Sequence, residues 1–540
     1  MGNASEEPVD VLVIGAGASG AALTWRLSEA GVDVLCLEQG GWVDHDKAAS
    51  LEPDWEVRRD REWNPYPNHR NMQADYPIND AATPILPLMY AGVGGSTLHW
   101  GCAFPRFHPS DFKVRTLDGV ADDWPLDYFE LEPYYDLNDR MMGVSGIVGD
   151  PANPKRVARP LPPIAPGRGA TRMAAAFDRL GWHWWPIEIA INSRAYGADR
   201  GACNNCGPCD LGCPQRARAS TDVTYWPLAL ANGARLRTGA RVSEVTVDAR
   251  GRASGATWLD ADGNARHQPA RAVVMAANGV GTSRLLLLSA SERFPDGLAN
   301  GTGLVGKNLM HHVTGMATGV FEDDLEAYKG PFAASIVCQE FYETDPERGA
   351  VRGMQMQLIR GDGPLGTAIG RYMPQIPWGP GHHEQMLAQL GRTATLTVTT
   401  EDLPRETNCV SLDPALVDSS GMPCPALHYE IDENTWTLLD YGGARATEAF
   451  EEAGAIEVVG QRMVPGTGFH LLGTTKMGLD PTTSVVDAFG RAHDVPNLFV
   501  VDGSTFVTCG AVNPTSTIQA LALRTADHIV EQRRDIEAPA

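Results

Sequence analysis

The sequence predicts an α/β chain, α+β taken as a whole, and three observations carry that prediction. An apolar run at residues 11–14 meets a glycine-rich turn and a helix-period segment, and a second apolar run follows at 34–37. Runs of buried, parallel-strand type return far down the chain, at 272–277 and 497–502, after long intervening stretches. Over 313–460 the pattern changes to alternating strand-like runs such as TATLTVTT at 393–400, the signature of a mainly antiparallel sheet.

Residues 9–38 read as strand, tight turn, helix, strand. Gly15, Gly17 and Gly20 hold the GxGxxG positions, Ala18 lies among them, and Glu38 closes the second strand. Glycines at this spacing let the backbone approach a pyrophosphate at the helix N-terminus, where unpaired N–H groups and the helix dipole favour an anion. Glu38 is placed to accept from adenosine ribose hydroxyls. The unit is Rossmann-like and built for an adenine dinucleotide, with NAD and FAD equally compatible at this point.

A chain of 540 residues can bury a large core and suggests two or more domains. A net charge of −23 argues against nucleic acid or an anionic membrane surface as a partner, because both would repel it. No basic n-region followed by an apolar h-region opens the sequence, and no stretch approaches the roughly 20 apolar residues of a membrane span. The expectation is a cytoplasmic protein, periplasmic only if exported with a partner.

From 39 to 79 the chain is rich in Trp, Asp, Arg and Pro and reads as a long surface excursion. The block at 90–108 places Gly94 and Gly95 before Thr97 and His99; glycine there allows close approach to a planar or anionic ligand, and an ordinary turn with a satisfied histidine fits equally. An aromatic amphipathic segment follows at 123–135, then a proline-rich connector at 150–167, a helix at 170–180 and a strand pattern at 183–191. A helix and strands fill 221–247. The adjacent His311 and His312 have no third ligand at helical spacing and read as structural. The C-terminal part carries GTGFHLLGTTKMG at 466–478, a buried strand ending at Asp502, and a last helix from Ile518.

Four of the ten cysteines fall within eleven residues: Cys203, Cys206, Cys209 and Cys213, followed by Pro214. The spacing C-x2-C-x2-C-x3-C-P is the run with which bacterial ferredoxins wrap an iron–sulfur cluster. Zinc is the second reading, since zinc sites more often pair two knuckles across a longer spacer. A structural or disulfide role is the third. The other six cysteines read as small core residues.

Taken together, VLVIGAGASG with Glu38, GVGGSTLHWG, DWPLDYFELEPYY, AANGVGTSRLLLLS, GLVGKNLMHH, FHLLGTTKMG and VVDGSTFVTCGAVNPTSTIQALALRTAD resemble the glucose-methanol-choline (GMC) flavoprotein oxidoreductases over nearly the whole chain. The resemblance implies FAD as the dinucleotide. It implies an FAD-binding domain assembled from residues 8–110, 215–312 and 461–540, a connector or cap with the cysteine cluster at 111–214, and a substrate-binding domain at 313–460. It puts His470 at the catalytic histidine and Asn513 at its partner, Asp502 at the ribityl chain, Ala511 and Val512 near the isoalloxazine, and cofactor contacts at Val242 and Thr515.

Two features narrow the subclass. Cys203, Cys209, Cys213 and Pro214 satisfy the C-x5-C-x3-C-P pattern of the sugar and gluconate dehydrogenase catalytic subunits, with Cys206 additional, which leaves a three-iron or a four-iron cluster open. The TLHWG block is similar both to pyranose oxidases, where the histidine at the position of His99 bonds FAD covalently, and to sugar dehydrogenases, where it does not.

The expected function is oxidation of a sugar, glycoside or polyol hydroxyl by hydride transfer to flavin N5, with His470 as base and Asn513 as orienter. Electrons then pass through the cysteine cluster to an external acceptor, with an electron-acceptor protein or a small escort subunit as partner. The alternatives are an oxygen-using oxidase of sugar or aminoglycoside hydroxyls, in which the cysteines are structural, and a non-catalytic FAD-binding subunit, against which His470 and Asn513 both speak.

Overall fold

The computed structural model describes residues 6–331 and 335–533. The end of the segment expected to run from 461 to 540, and three residues of the 313–460 segment, lie outside the described residues.

Two sheets organise the chain. In the first, parallel strands run in the order Arg235–Arg237, Val34–Leu37, Val9–Ile14 and Ala265–Met275, with Leu498–Val500 beside the end of the last. The first strand is close-packed on both faces, with Leu12 and Val13 fully buried, as the continuous apolar run requires. Its register aligns Ile14 with Leu37 on one side and Met275 on the other, and Met275 with Val500. Four strands therefore end level, and Gly15, Glu38, Ala276 and Val501 emerge along one carboxyl edge, where ligands bind in open parallel sheets. The first half of Ala265–Met275 pairs instead with Ala253–Leu259, which pairs with Arg241–Val247, both antiparallel.

The helix Ala18–Glu29 buries Ala21, Ala22, Leu23, Trp25 and Leu27 against this sheet. It packs on the last helix, Thr515–Glu531. The aromatic segment becomes the helix Tyr128–Met142, opened by a capping box between Asp127 and Glu130 and closed by Gly143 in the left-handed region.

The second sheet is antiparallel throughout: Glu457–Gln461, Thr314–Val320, Thr393–Thr400, Met354–Ile359, Ile336–Cys338 and Trp184–Pro186. The alternation in TATLTVTT sorts its two faces. Ala394, Leu396 and Val398 join a core with the helices Glu433–Glu452 and Arg168–Leu180, while Thr397 and Thr399 turn the other way, toward the carboxyl edge of the parallel sheet. The edge strand Trp184–Pro186 comes from the stretch read as connector. The stretch at 408–412, inside the 313–460 segment expected to be mainly one antiparallel sheet, does not join this sheet. It forms Cys409–Val417, paired with Pro423–His428, which in turn lies parallel to Asn79–Ala82.

Two neighbouring glycines in the helix Glu433–Glu452 predict opposite outcomes. A Cβ on Gly442 would lie 2.4 Å from both Met354 Sδ and Val398 Cγ1, whereas one on Gly443 would meet nothing within 4 Å. Gly442→Ala is expected to destabilise by about 1–3 kcal/mol through overpacking. Gly443→Ala should stabilise by about 0.5–1 kcal/mol by restraining the unfolded backbone. Denaturant titration of the two variants checks both signs.

Candidate functional site

A cavity of about 880 Å³ opens between the carboxyl edge of the parallel sheet and the polar face of the antiparallel one. That is toward the upper end of the roughly 300–1,000 Å³ usual for ligand cavities. Gly15, Gly17, Ala18 and Glu38 line it from the first turn, Gly95, Thr97 and His99 from the second glycine block, and Val242 and Asp502 from the strands. His470, Asn513 and Thr515 complete it with Gln357, Thr397 and Thr399.

The two glycine blocks lock together. Gly15 has a φ of +106° and a Cβ there would lie 2.5 Å from Ala276 O; one on Gly95, at a φ of +52°, would lie 2.8 Å from Gly17 Cα. Gly94 N–H donates to Ala16 O at 2.9 Å. Thr97 Oγ1 donates to Gly94 O at 2.5 Å and accepts from Thr221 N at 3.1 Å. Bare backbone from both blocks thus reaches the cavity, a cradle that side chains would fill. Gly20 and Gly94 are not on its wall. Gly20 serves packing, since a Cβ would lie 2.0 Å from Gly15 O.

Glu38 accepts from Ala16 N at 2.9 Å and Gly40 N at 2.8 Å, and burial raises its pKa against these donors. Asp502 accepts from Thr282 Oγ1 at 2.5 Å and from Ser504 N and Oγ at 3.0 and 2.5 Å, and burial raises its pKa as well. His99 lies against Tyr90, with ring centroids 4.7 Å apart, and Trp63 at 5.4 Å. Burial drives its pKa down to about 3, so the ring is neutral. Its Nε2 is buried without a partner among the described residues.

His470 contacts His312, Nδ1 to Nδ1 at 2.6 Å, and its main-chain oxygen faces His311 Nδ1 at 3.2 Å. Burial, reinforced by these two histidines, lowers the His470 pKa well below that of an ordinary imidazole. Asn513 Oδ1 accepts from Gln357 Nε2 and, at 3.4 Å, from Gln355 Nε2. Ala511 and Val512 are fully buried and off the cavity wall; Ala511 N–H donates to Tyr342 OH at 3.2 Å.

The excursion at 39–79 is more than surface. Arg59, Asp60, Tyr66 and His69 stand on the cavity wall, and Glu56 accepts from Leu365 and Gly366 N–H at 2.9 Å each. Sequence reasoning missed these residues, the two glutamines and the His312 contact. For His312 a signal existed, because it ends the GLVGKNLMHH block. For Gln355 and Gln357 none did.

GMC oxidoreductase family profiles match residues 10–314 and, for the C-terminal part, 404–522. The chain is a GMC oxidoreductase. It is 44% identical to 2-methyl-1,2-propanediol dehydrogenase of Mycolicibacterium austroafricanum, over 98% of this chain and 97% of that one. It is 30% identical to the fructose dehydrogenase large subunit of Gluconobacter japonicus, over 96% and 97%. A formate oxidase structure from Aspergillus oryzae superposes with a TM-score of 0.69 at 14% identity, covering 99% of this chain and all of that one, which shows the shared fold. The GMC oxidoreductase therefore uses FAD and acts on alcohol groups, and the glycine cradle, Glu38 and Asp502 fit that cofactor.

The cysteine run of this oxidoreductase forms a loop beside the cavity. Asp210, within the run, lines the cavity and accepts from Arg59 Nη2 at 2.6 Å. Cys206 is exposed, Cys203 Sγ accepts from Asn205 N at 3.4 Å, and Cys203, Cys209 and Cys213 pack beside the core that contains Cys102. Among the described residues no three His, Cys, Asp or Glu side chains are gathered as a metal site. The convergent ligand set expected from the spacing is not formed among these side chains. Nor is any helix among the described residues long and apolar enough to cross a membrane.

Removing the Glu38 carboxylate leaves the Ala16 and Gly40 amides without their acceptor, a cost of about 1–3 kcal/mol for each that stays buried. Glu38→Ala is expected to lose flavin on gel filtration, and Glu38→Gln, which keeps one acceptor oxygen, to lose less. The flavin-to-protein absorbance ratio measures both.

Proposed function

We propose that this GMC oxidoreductase oxidises one hydroxyl of a small polyol or sugar, with His470 as base and Asn513 orienting the substrate. The observation that carries the reading is a neutral imidazole at the wall of the cofactor cavity together with an anchored amide. The His470 pKa is depressed by burial, so its basic form persists at neutral pH. Asn513 is held by two glutamines from the antiparallel sheet, which limits its freedom to follow the substrate oxygen.

FAD, when bound, supplies the acceptor for the hydrogen and electron pair that leave carbon. The chain's own residues do the rest. His470 takes the hydroxyl proton, Asn513 holds the oxygen, and the cavity walls limit water. Thr397, Thr399 and Gln357 give the substrate face a row of hydrogen-bonding groups, suited to a molecule with a second hydroxyl beside the reacting one. A vicinal diol is the unit shared by a short polyol and a sugar, and the likeness to a diol dehydrogenase supports the same choice.

The electron exit is the second part of the proposal. The loop of Cys203, Cys206, Cys209 and Cys213 adjoins the cavity through Asp210, and on this reading it faces an external acceptor, a protein partner or a quinone. Iron and acid-labile sulfide measured on anaerobically purified, FAD-loaded protein decide whether the thiols hold an iron–sulfur cluster. Their absence removes the relay and leaves the oxygen-using oxidase, for which peroxide released in step with turnover is the mark.

A panel of diols, sugars and simple alcohols, assayed with an artificial acceptor in air and without it, tests the substrate class. Vicinal diols are expected to exceed the matching mono-alcohols in kcat/KM, and equal rates across the panel would remove the second-hydroxyl argument. The pH dependence has a definite sign. Because the folded-state pKa of His470 lies below the ordinary value of about 6.5, protonation occurs only at lower pH. The acid limb of kcat should therefore fall below pH 6.5.

A further inference from the structure

His311 and His312 read as structural in the sequence, yet the ring of His312 meets that of His470 edge to face, with centroids 4.7 Å apart at 88°. The hydrogen-bonding partners of His312 decide where its proton sits. Its Nε2 faces two main-chain carbonyls, Gly510 O at 2.6 Å and Cys509 O at 3.2 Å. A carbonyl only accepts, so Nε2 carries a proton. The ring is fully buried and its pKa is pushed down to about 4 by that burial, so it holds one proton and Nδ1 is a lone pair. That lone pair lies 2.6 Å from Nδ1 of His470. Two lone pairs at this distance repel each other, and a hydrogen bond forms only when His470 donates from Nδ1. A neutral His470 then has no proton on Nε2, its other ring nitrogen.

We propose that His312 is a positioning residue that fixes His470 in the Nδ1–H tautomer, with the carbonyls of Cys509 and Gly510 as the origin of that choice. The inference rests on the reading of His470 as base and deepens it by saying which nitrogen acts. In the oxidation the hydroxyl O–H bond breaks and its proton forms an N–H bond at Nε2 of His470. The C–H electron pair leaves with its hydrogen to FAD, and the carbon–oxygen double bond closes. The imidazolium so formed keeps its Nδ1–H on the His312 lone pair, which stabilises the new charge. His311 contributes differently. Its Nδ1 donates to the His470 carbonyl and holds the main chain that carries the ring.

Two His312 variants and one His470 variant test this in FAD-loaded enzyme on the best substrate of the panel. His312→Leu removes the acceptor and is expected to lower kcat about 100-fold, the low end of what a well-placed base contributes, with KM little changed. His312→Asn places Oδ1 where Nδ1 stood and should recover at least about a tenfold part of that loss. In ¹⁵N-histidine NMR at neutral pH, assigned by the signal lost in His470→Gln, His470 is expected to show a protonated Nδ1 and a bare Nε2. His312→Leu should mix the two tautomers. The NMR readout needs no turnover, and wild type alone suffices if the Leu variant does not fold. A protonated Nε2 in the resting wild type overturns the proposal. So does His312→Leu working at the wild-type kcat while His470→Gln is inactive. If His470→Gln itself keeps full activity, the base reading falls, a failure distinct from that of the tautomer.

Discussion

The arrangement depends on one close approach, that of Gly95 to Gly17. With no Cβ on Gly95, the second glycine block seats directly on the first turn, and the Ala16 carbonyl and Gly94 amide tie them. Everything downstream is positioned from that contact. The level ends of four parallel strands present Gly15, Glu38 and Asp502 to the same space, and the block leading to His99 becomes a wall instead of a free loop. A methyl group at Gly95 would force the two turns apart and move the wall away from the strands.

The second half of the site comes from a sheet with two chemistries. Alternation along Thr393–Thr400 sends apolar side chains under the long helix and hydroxyls toward the cavity, while the paired strand Met354–Ile359 adds Gln355 and Gln357, both hydrogen-bonded to Asn513. The loop that carries Asn513 is tied in turn to His312 through Gly510, and His312 to His470. Residues far apart in sequence thus hold one another through acceptor and donor pairs that tolerate little exchange.

Much of this was legible in the sequence, because local patterns report local physics. The GxGxxG turn, the apolar parallel strands and the alternating strand at 393–400 all state their own conformation. The family motifs carried His470 and Asn513 to one cavity. What stayed hidden depends on pairing between distant segments. The strand at 408–412 lies within the segment expected to be mainly antiparallel and joined another sheet, since alternation does not name a partner. His312 lacked a third ligand at helical spacing and so looked structural, although its partners, His470 and the carbonyls of Cys509 and Gly510, arrive from elsewhere in the chain. The cysteine run carried a ferredoxin-like spacing, but spacing does not set the direction of four thiols, and they are not gathered here.

Anaerobic rapid mixing with a vicinal diol, following loss of the oxidised-flavin absorbance in wild type and His470→Ala of equal FAD content, tests the central claim most directly. The account predicts rapid bleaching in wild type and a rate lower by about 100-fold or more in the variant, the contribution expected of a well-placed base. Equal rates in the two proteins would contradict it.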